Sequence, residues 1–78
     1  RFKTYAGAIS RFRQILDEHP EYTALDEVYY YLAESLAAVR NEAEAIPYFA
    51  RILEEFDSSE YAVPAQLRLT ELESLEEQ

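Results

Sequence analysis

The chain has 78 residues and no cysteine, which excludes disulfides, thiolate zinc sites and cysteine nucleophiles. A domain of this length buries only about 60% of the surface that its unfolded chain exposes, so its core is small. Sixteen acidic residues against seven basic ones give a net charge of −9, which disfavours nucleic acid and anionic membranes as partners. No apolar stretch approaches the ~20 residues of a membrane span and no signal peptide opens the segment, so we predict no membrane insertion by it.

Apolar residues recur at steps of three and four, which predicts an all-α protein of four helices without strands. The four stripes consist of Tyr5, Ala8, Ile9, Phe12, Ile15 and Leu16; of Leu25, Val28, Tyr29, Leu32, Ala33, Leu36 and Val39; of Ala45, Ile46, Phe49, Ile52, Leu53 and Phe56; and of Ala62, Ala65, Leu69, Leu72 and Leu75. The first helix should end at His19 and Pro20, since proline disfavours helical geometry at the preceding residue. Asn41 is predicted to start the third helix with Glu44 in capping-box position, and the polar turn 57–61 precedes the fourth.

Because of two prolines, the sequence is compatible with two alternative starts for each of the last two helices. With Asn41 as the cap, Pro47 lies past the first turn, where it removes a hydrogen bond to the Ala43 carbonyl and should bend the helix. Alternatively, the third helix begins a residue or two later and Pro47 is nearer its first turn. The fourth helix likewise starts either near Glu60 with a kink or at Pro64 itself.

Shifted by 37 residues, the chain repeats part of its own sequence. Nine of the 41 overlapping positions are identical: Ala6 with Ala43, Ala8 with Ala45, Ile9 with Ile46, Phe12 with Phe49, Ile15 with Ile52, Leu16 with Leu53, Glu18 with Glu55, Leu32 with Leu69 and Glu34 with Glu71. A shared helical period can raise such a count, but it does not require that small and large residues recur in the same order. A fixed period of this size with helical content is typical of a solenoid built from helix pairs.

Residues 26–59 resemble one complete tetratricopeptide repeat (TPR) of 34 residues. The resemblance rests on Tyr29, Leu32, Ala33, Leu36, Ala45 and Phe49 at the repeat positions, with Ala8, Phe12 and Pro20 at the matching places of a preceding copy. Three places depart from the pattern: Arg40 stands for a turn glycine, Ile52 for a small alanine and Asp57 for the closing proline. The resemblance implies a TPR-type helical-hairpin solenoid of antiparallel helices, in which the small residues let neighbouring helices approach closely.

The period of 37 rather than 34 residues and the stretch 56–69 (FDSSEYAVPAQLRL) resemble a narrower group. That group comprises the outer-membrane assembly lipoproteins of the BamD type and the Tol-Pal-associated periplasmic proteins of the YbgF type. The resemblance implies a parent protein on the periplasmic face of a bacterial outer membrane. It would help to assemble β-barrel proteins there, with a lipid anchor outside this segment.

The TPR register divides the 78 residues into three parts. Residues 1–22 form the second helix of one repeat, 26–59 a complete repeat, and 60–78 the first helix of a further repeat. Both ends then expose an apolar face, with Phe2, Phe12 and Ile15 near one of them. Either the segment belongs to a longer array, which the absence of an initial Met favours, or another copy of the chain covers the ends. We expect the isolated segment to self-associate.

The residues offer no catalytic, cofactor or metal site, so we predict that the protein is not an enzyme. The only histidine, His19, is expected to be a surface residue at a helix end. Ser58 and Ser59 are interpreted as helix caps, and the other serines have no base nearby in sequence. Acidic pairs such as 42/44, 54/55 and 76/77 lack metal-ligand spacing and are predicted to form a solvated face, and no glycine-rich phosphate loop occurs.

One face of the second helix is the candidate partner site. In TPRs this face lines the concave groove that holds extended peptides, and here it carries Glu27, Tyr30, Tyr31, Glu34, Ala37 and Ala38. Tyr30 is expected to be an exposed anchor among small and acidic residues; alternatively, Tyr30 and Tyr31 pack against a neighbouring helix. The acidic residues disfavour recognition of a C-terminal carboxylate. The predicted function is a non-catalytic protein–protein interaction scaffold, and the alternative is a structural, oligomerising segment of a periplasmic TPR protein.

Overall fold

The computed structural model describes residues 2–76, with the side chains of 4–75, and places four α-helices in them. They are α1 (Phe2–Glu18), α2 (Leu25–Ala38), α3 (Glu42–Glu55) and α4 (Ala62–Glu76). No strand occurs in this part of the chain, so the all-α prediction is confirmed. The side chains of Phe2, Glu76 and Glu77, which entered the sequence predictions, lie outside the described residues.

Each helix packs mainly against its successor in the chain, and the molecule measures 37 × 32 × 16 Å. The core consists of Ile9, Tyr29, Leu32, Ala33, Leu36, Ala45, Phe49, Ile52, Ala65, Leu69 and Leu72. Ala33 on α2 and Ala45 on α3 are both completely buried. Because neither side chain extends beyond Cβ, these two positions allow a close approach of the central helices. At the remaining repeat positions, Ala8 and Phe12 are half-buried and Pro20 is exposed in the turn after α1.

The turn between α2 and α3 contains Arg40, one of the three departures from the TPR pattern. Arg40 has φ 67°, the left-handed conformation that favours glycine. Its N–H donates to the Ala37 carbonyl at 3.0 Å, and the Asn41 N–H donates to the Leu36 carbonyl at 2.8 Å. These two bonds form a Schellman motif that satisfies the last carbonyls of α2, although an arginine in this conformation costs about 1–2 kcal/mol.

The start of α3 confirms one expectation and corrects another. Asn41 is the residue before the helix, as predicted, and Pro47 therefore lies inside α3 beyond its first turn. The Ala43 carbonyl accordingly has no N–H donor at position 47. The predicted capping box is wrong, since the Asn41 side chain makes no cap bond. Its Nδ2 donates instead to Glu44 Oε1 at 3.0 Å, and the same carboxylate pairs with Arg13 of α1.

The helix α4 begins at Ala62, between the two predicted starts near Glu60 and at Pro64. Pro64 is then its third residue, where an N–H would have no acceptor within the helix, so the proline costs no hydrogen bond. In the preceding turn, Ser59 Oγ accepts from the Tyr61 N–H at 3.0 Å, and the Ser59 carbonyl accepts from the Ala62 N–H at 3.1 Å. Tyr61 is the residue before α4, and its carbonyl accepts from the Ala65 N–H at 2.9 Å, so Ser59 stabilises the turn that leads into the helix and does not cap the helix itself.

Candidate functional site

The predicted partner-binding residues lie on α2, and α4 lies beside them. Tyr30 is half-buried rather than exposed, which corrects the expectation for this residue. Its ring lies edge-on to Phe49 of α3 with the centroids 5.7 Å apart, and 5.1 Å from the ring of Tyr61. The physical reason is the nearness of α4, whose preceding turn places Tyr61 over Tyr30.

Tyr31 is the exposed aromatic residue of this region, at 44%. Its ring meets the ring of Tyr30 edge-on at 5.4 Å and that of Tyr61 at 5.8 Å. We call Tyr30, Tyr31 and Tyr61 the tyrosine cluster. Edge-on aromatic contacts of this kind are stabilising, so Tyr30 and Tyr61 restrict the ring that Tyr31 presents to solvent.

The two glutamates of the site differ in their partners. Glu34 accepts from Arg68 of α4, with Nε and Oε2 3.0 Å apart and both side chains about one-third exposed. Arg68 also pairs with Glu71 at 3.3 Å. Glu27 is exposed and accepts a hydrogen bond from the Tyr61 hydroxyl at 3.2 Å, but it has no ion pair among the described residues. Glu27 therefore contributes an uncompensated negative charge beside the tyrosine cluster.

The phenols of Tyr30 and Tyr61 act as neutral groups. Burial and a hydrogen bond with Glu34 raise the pKa of Tyr30 above its ordinary value of 10.0. Partial burial and hydrogen bonds with Tyr31 and Glu27 raise the pKa of Tyr61 as well. At neutral pH both hydroxyls therefore keep their protons and serve as hydrogen-bond donors rather than as bases or nucleophiles.

Ala37 and Ala38 continue the same face of α2 towards its C-terminus, and both are half-buried. Ala38 lies one turn beyond Glu34, and Ala37 packs against the core. Helical geometry places all six predicted residues on one side of α2. Four of them contact α4 or the turn before it, namely Glu27, Tyr30, Tyr31 and Glu34, and Tyr31 and Glu27 are the most accessible.

Two residues that adjoin this face of α2, Tyr61 and Arg68, were not among the predicted site residues. The internal repeat could have indicated Arg68. At the shift of 37 residues it matches Tyr31, a predicted site residue, and Glu71 likewise matches Glu34. No such signal exists for Tyr61, whose match is Ala24. Tyr61 joins the site only because the turn before α4 ends beside α2.

Outside this face, polar side chains line a cleft beside the turn before α4 and lie at the end of α1. A cleft of about 380 Å³ beside the turn before α4 is lined by Thr23, Asp26, Glu55, Phe56, Asp57, Ser58 and Ser59. Its Ser59 hydroxyl donates to the Asp26 carboxylate at 2.5 Å. His19 is exposed at the end of α1, as predicted, and its Nδ1 lies 3.5 Å from Glu21. No group of three metal-binding side chains occurs in the part of the chain that the structure describes.

Within residues 2–76, no helix has the length and apolar character that crossing a membrane requires. Comparisons of the chain with protein-family models, with curated proteins and with solved structures find no match. The resemblance to TPRs therefore stays a prediction that rests on the residues quoted for it.

Proposed function

We propose that the chain is a non-catalytic protein–protein interaction scaffold, in which the tyrosine cluster and Glu27 bind a segment of a partner protein. The observation that carries the proposal is the exposed ring of Tyr31, which Tyr30 and Tyr61 hold from two sides. A large aromatic ring that is already ordered loses little conformational freedom on binding, and tyrosines of this kind are enriched among the residues that dominate interface energies.

The charge of the site defines the chemistry of the partner. Glu27 has no cationic partner among the described residues, and the whole chain has a net charge of −9. A lysine or arginine of the partner gains both the attraction of Glu27 and a cation–π contact with the face of Tyr31. We therefore propose a basic segment with an apolar or aromatic neighbour, and we expect a free carboxylate to be repelled.

The resemblance to outer-membrane assembly lipoproteins supports a finer proposal. The parent protein acts on the periplasmic face of a bacterial outer membrane, where the scaffold serves the assembly of β-barrel proteins. The alternative is a structural role in oligomerisation, which the exposed apolar residues Val63 and Leu67 on α4 favour.

A display library of random short peptides tests the proposed function. Peptides selected on the 78-residue chain should be rich in Lys or Arg next to aromatic residues. Tyr31→Ala should weaken their binding by about 2 kcal/mol, or roughly 30-fold in Kd. The matched control is Tyr22→Ala, which removes a tyrosine of similar exposure, 47%, from the turn after α1 and should leave binding unchanged.

Calorimetric titration of each variant with the selected peptide measures these effects. Selection of no peptide above background counts against the proposal. So does binding that survives Tyr31→Ala, or that Tyr22→Ala weakens equally.

A further inference from the structure

The charges of the chain are divided very unevenly along its length. The first 16 residues contain four basic residues and no acidic one, whereas the remaining 62 contain three basic and sixteen acidic residues. The basic part coincides with α1 up to Leu16, and the residues from Glu71 to the end of the chain contain four glutamates and no basic residue. The sequence is therefore basic at its start, although α1 also contains Asp17 and Glu18, and acidic towards its end.

The basic start of the chain also has an incompletely covered apolar face. Among the described residues, α1 packs mainly against α2. Ala8, Phe12 and Ile15 are consequently only half-buried. Arg11 projects from the same side of α1 and is exposed, with no ion pair among the described residues.

The acidic part towards the end of the chain has a matching open face on α4. Val63 and Leu67 are 71% and 63% exposed. The spacing of four, three and four residues places Val63, Leu67, Thr70 and Ser74 on the same face of the helix. The buried residues Ala65, Leu69 and Leu72 lie on the opposite side of the helix. The open face of α4, which we define as Val63, Leu67, Thr70 and the flanking Glu73, thus combines two exposed apolar residues with one hydroxyl and one carboxylate group.

The internal repeat supplies a geometry in which the two faces fit. At the shift of 37 residues α1 matches α3 and α4 matches α2, and α2 and α3 form a tightly packed antiparallel pair. We propose that α1 of one copy docks on the open face of α4 of a second copy, in the register in which α3 packs on α2. In that register Ala8 lies opposite Thr70, the counterpart of Ala33.

The same register fixes the position of Arg11. Its counterpart Tyr48 stacks on Tyr29 with the ring centroids 6.0 Å apart, so Arg11 meets Gln66, the counterpart of Tyr29, in the next copy. Leu67 adjoins Gln66. The contact joins two different faces, so it does not close on itself and generates an open series of copies.

Sedimentation velocity of the 78-residue chain over a dilution series is the primary experiment. We expect dimers and longer species that grow with concentration at low salt. Because opposite charges attract across the contact, raising the salt to about 1 M, where the Debye length falls to ~3 Å, should weaken association about tenfold.

Two surface variants test the two faces separately. Arg11→Glu on α1 and Leu67→Lys on α4 should each lower the association constant about tenfold. The matched controls are Arg40→Glu, with the same charge change at an exposed site, and Leu75→Lys, which alters an apolar residue that is 58% exposed on the side of α4 where Arg68 lies. Both controls should associate as the wild type does, and circular dichroism should show unchanged helicity for all four variants.

Mixing the two interface variants distinguishes the proposed contact between α1 and α4 from a symmetric contact between two identical faces. An equimolar mixture of Arg11→Glu and Leu67→Lys contains intact partner faces and should associate again. A chain that is monomeric at every concentration overturns the proposal, and so does sensitivity to only one of the two variants. Equal effects of the controls overturn it as well.

Discussion

The first and third helices carry nearly the same apolar residues but differ in how well they are buried. Phe49 and Ile52 of α3 are completely buried, whereas their counterparts Phe12 and Ile15 of α1 remain half-exposed. The reason is position, because α3 lies between α2 and α4 while α1 packs mainly on α2. The free energy that an apolar residue contributes follows the surface it removes from water, at about 25 cal/mol per Å². The same apolar residues therefore contribute less to the free energy of unfolding on α1 than on α3.

The largest expected effect is the loss of the buried phenylalanine. Phe49→Ala should cost about 3–5 kcal/mol of the free energy of unfolding, since it removes a fully enclosed ring and leaves a cavity. Phe12→Ala should cost roughly 1–2 kcal/mol, because part of its ring is already in water. Urea denaturation followed by circular dichroism measures both. If both variants lose the same free energy of unfolding at low protein concentration, Phe12 is as enclosed as Phe49, which contradicts the difference in burial between α1 and α3.

A smaller effect is expected from overpacking. Ala45→Leu should destabilise the protein by about 1–3 kcal/mol, because Ala45 is completely buried in the core. Ala8→Leu should change the stability by no more than about 0.5 kcal/mol, since Ala8 is half-exposed. The two melting temperatures test this difference. An unchanged melting temperature for Ala45→Leu would contradict the close contact between α2 and α3.

The smallest expected effect separates helix propensity from burial. Gly7 lies within α1, and a Cβ added there meets no atom within 4 Å. Gly7→Ala should therefore stabilise α1 by about 0.5–1 kcal/mol through the backbone alone. Hydrogen exchange should show slower exchange of the α1 amides and little change in those of α3. Equal slowing in both helices would mean that they open as one unit rather than separately.

Most of the fold follows from the sequence, because helical periodicity and proline positions are local properties. The stripes agree with the structure except at Tyr5 and Leu75, which are exposed, and so do the end of α1 before Pro20 and the cap position of Asn41. The start of α4 does not follow, since Pro64 is compatible with any position in the first turn. The turn before α4 contains a bond from the Tyr61 N–H to Ser59 Oγ, and local side-chain bonds of this kind produce no periodic pattern in the sequence.

The candidate site is less predictable because it depends on contacts between helices. Helical geometry places Tyr31 and Glu27 on one side of α2, and both are accessible in the structure. The partial burial of Tyr30 depends on Tyr61, which is distant in the sequence and has no aromatic counterpart in the repeat. The position of such a residue becomes known only when the packing of α4 beside α2 is known.

The packing of each helix on its successor also has a consequence for how the chain acquires its structure. A contact between consecutive helices closes only a short loop, so little entropy is lost before the contact forms. We expect folding in microseconds to milliseconds, as in other helical proteins with local contacts. During synthesis α1 can assemble on α2 while α4 is still inside the ribosome. Phe49 then stays partly in water until α4 emerges.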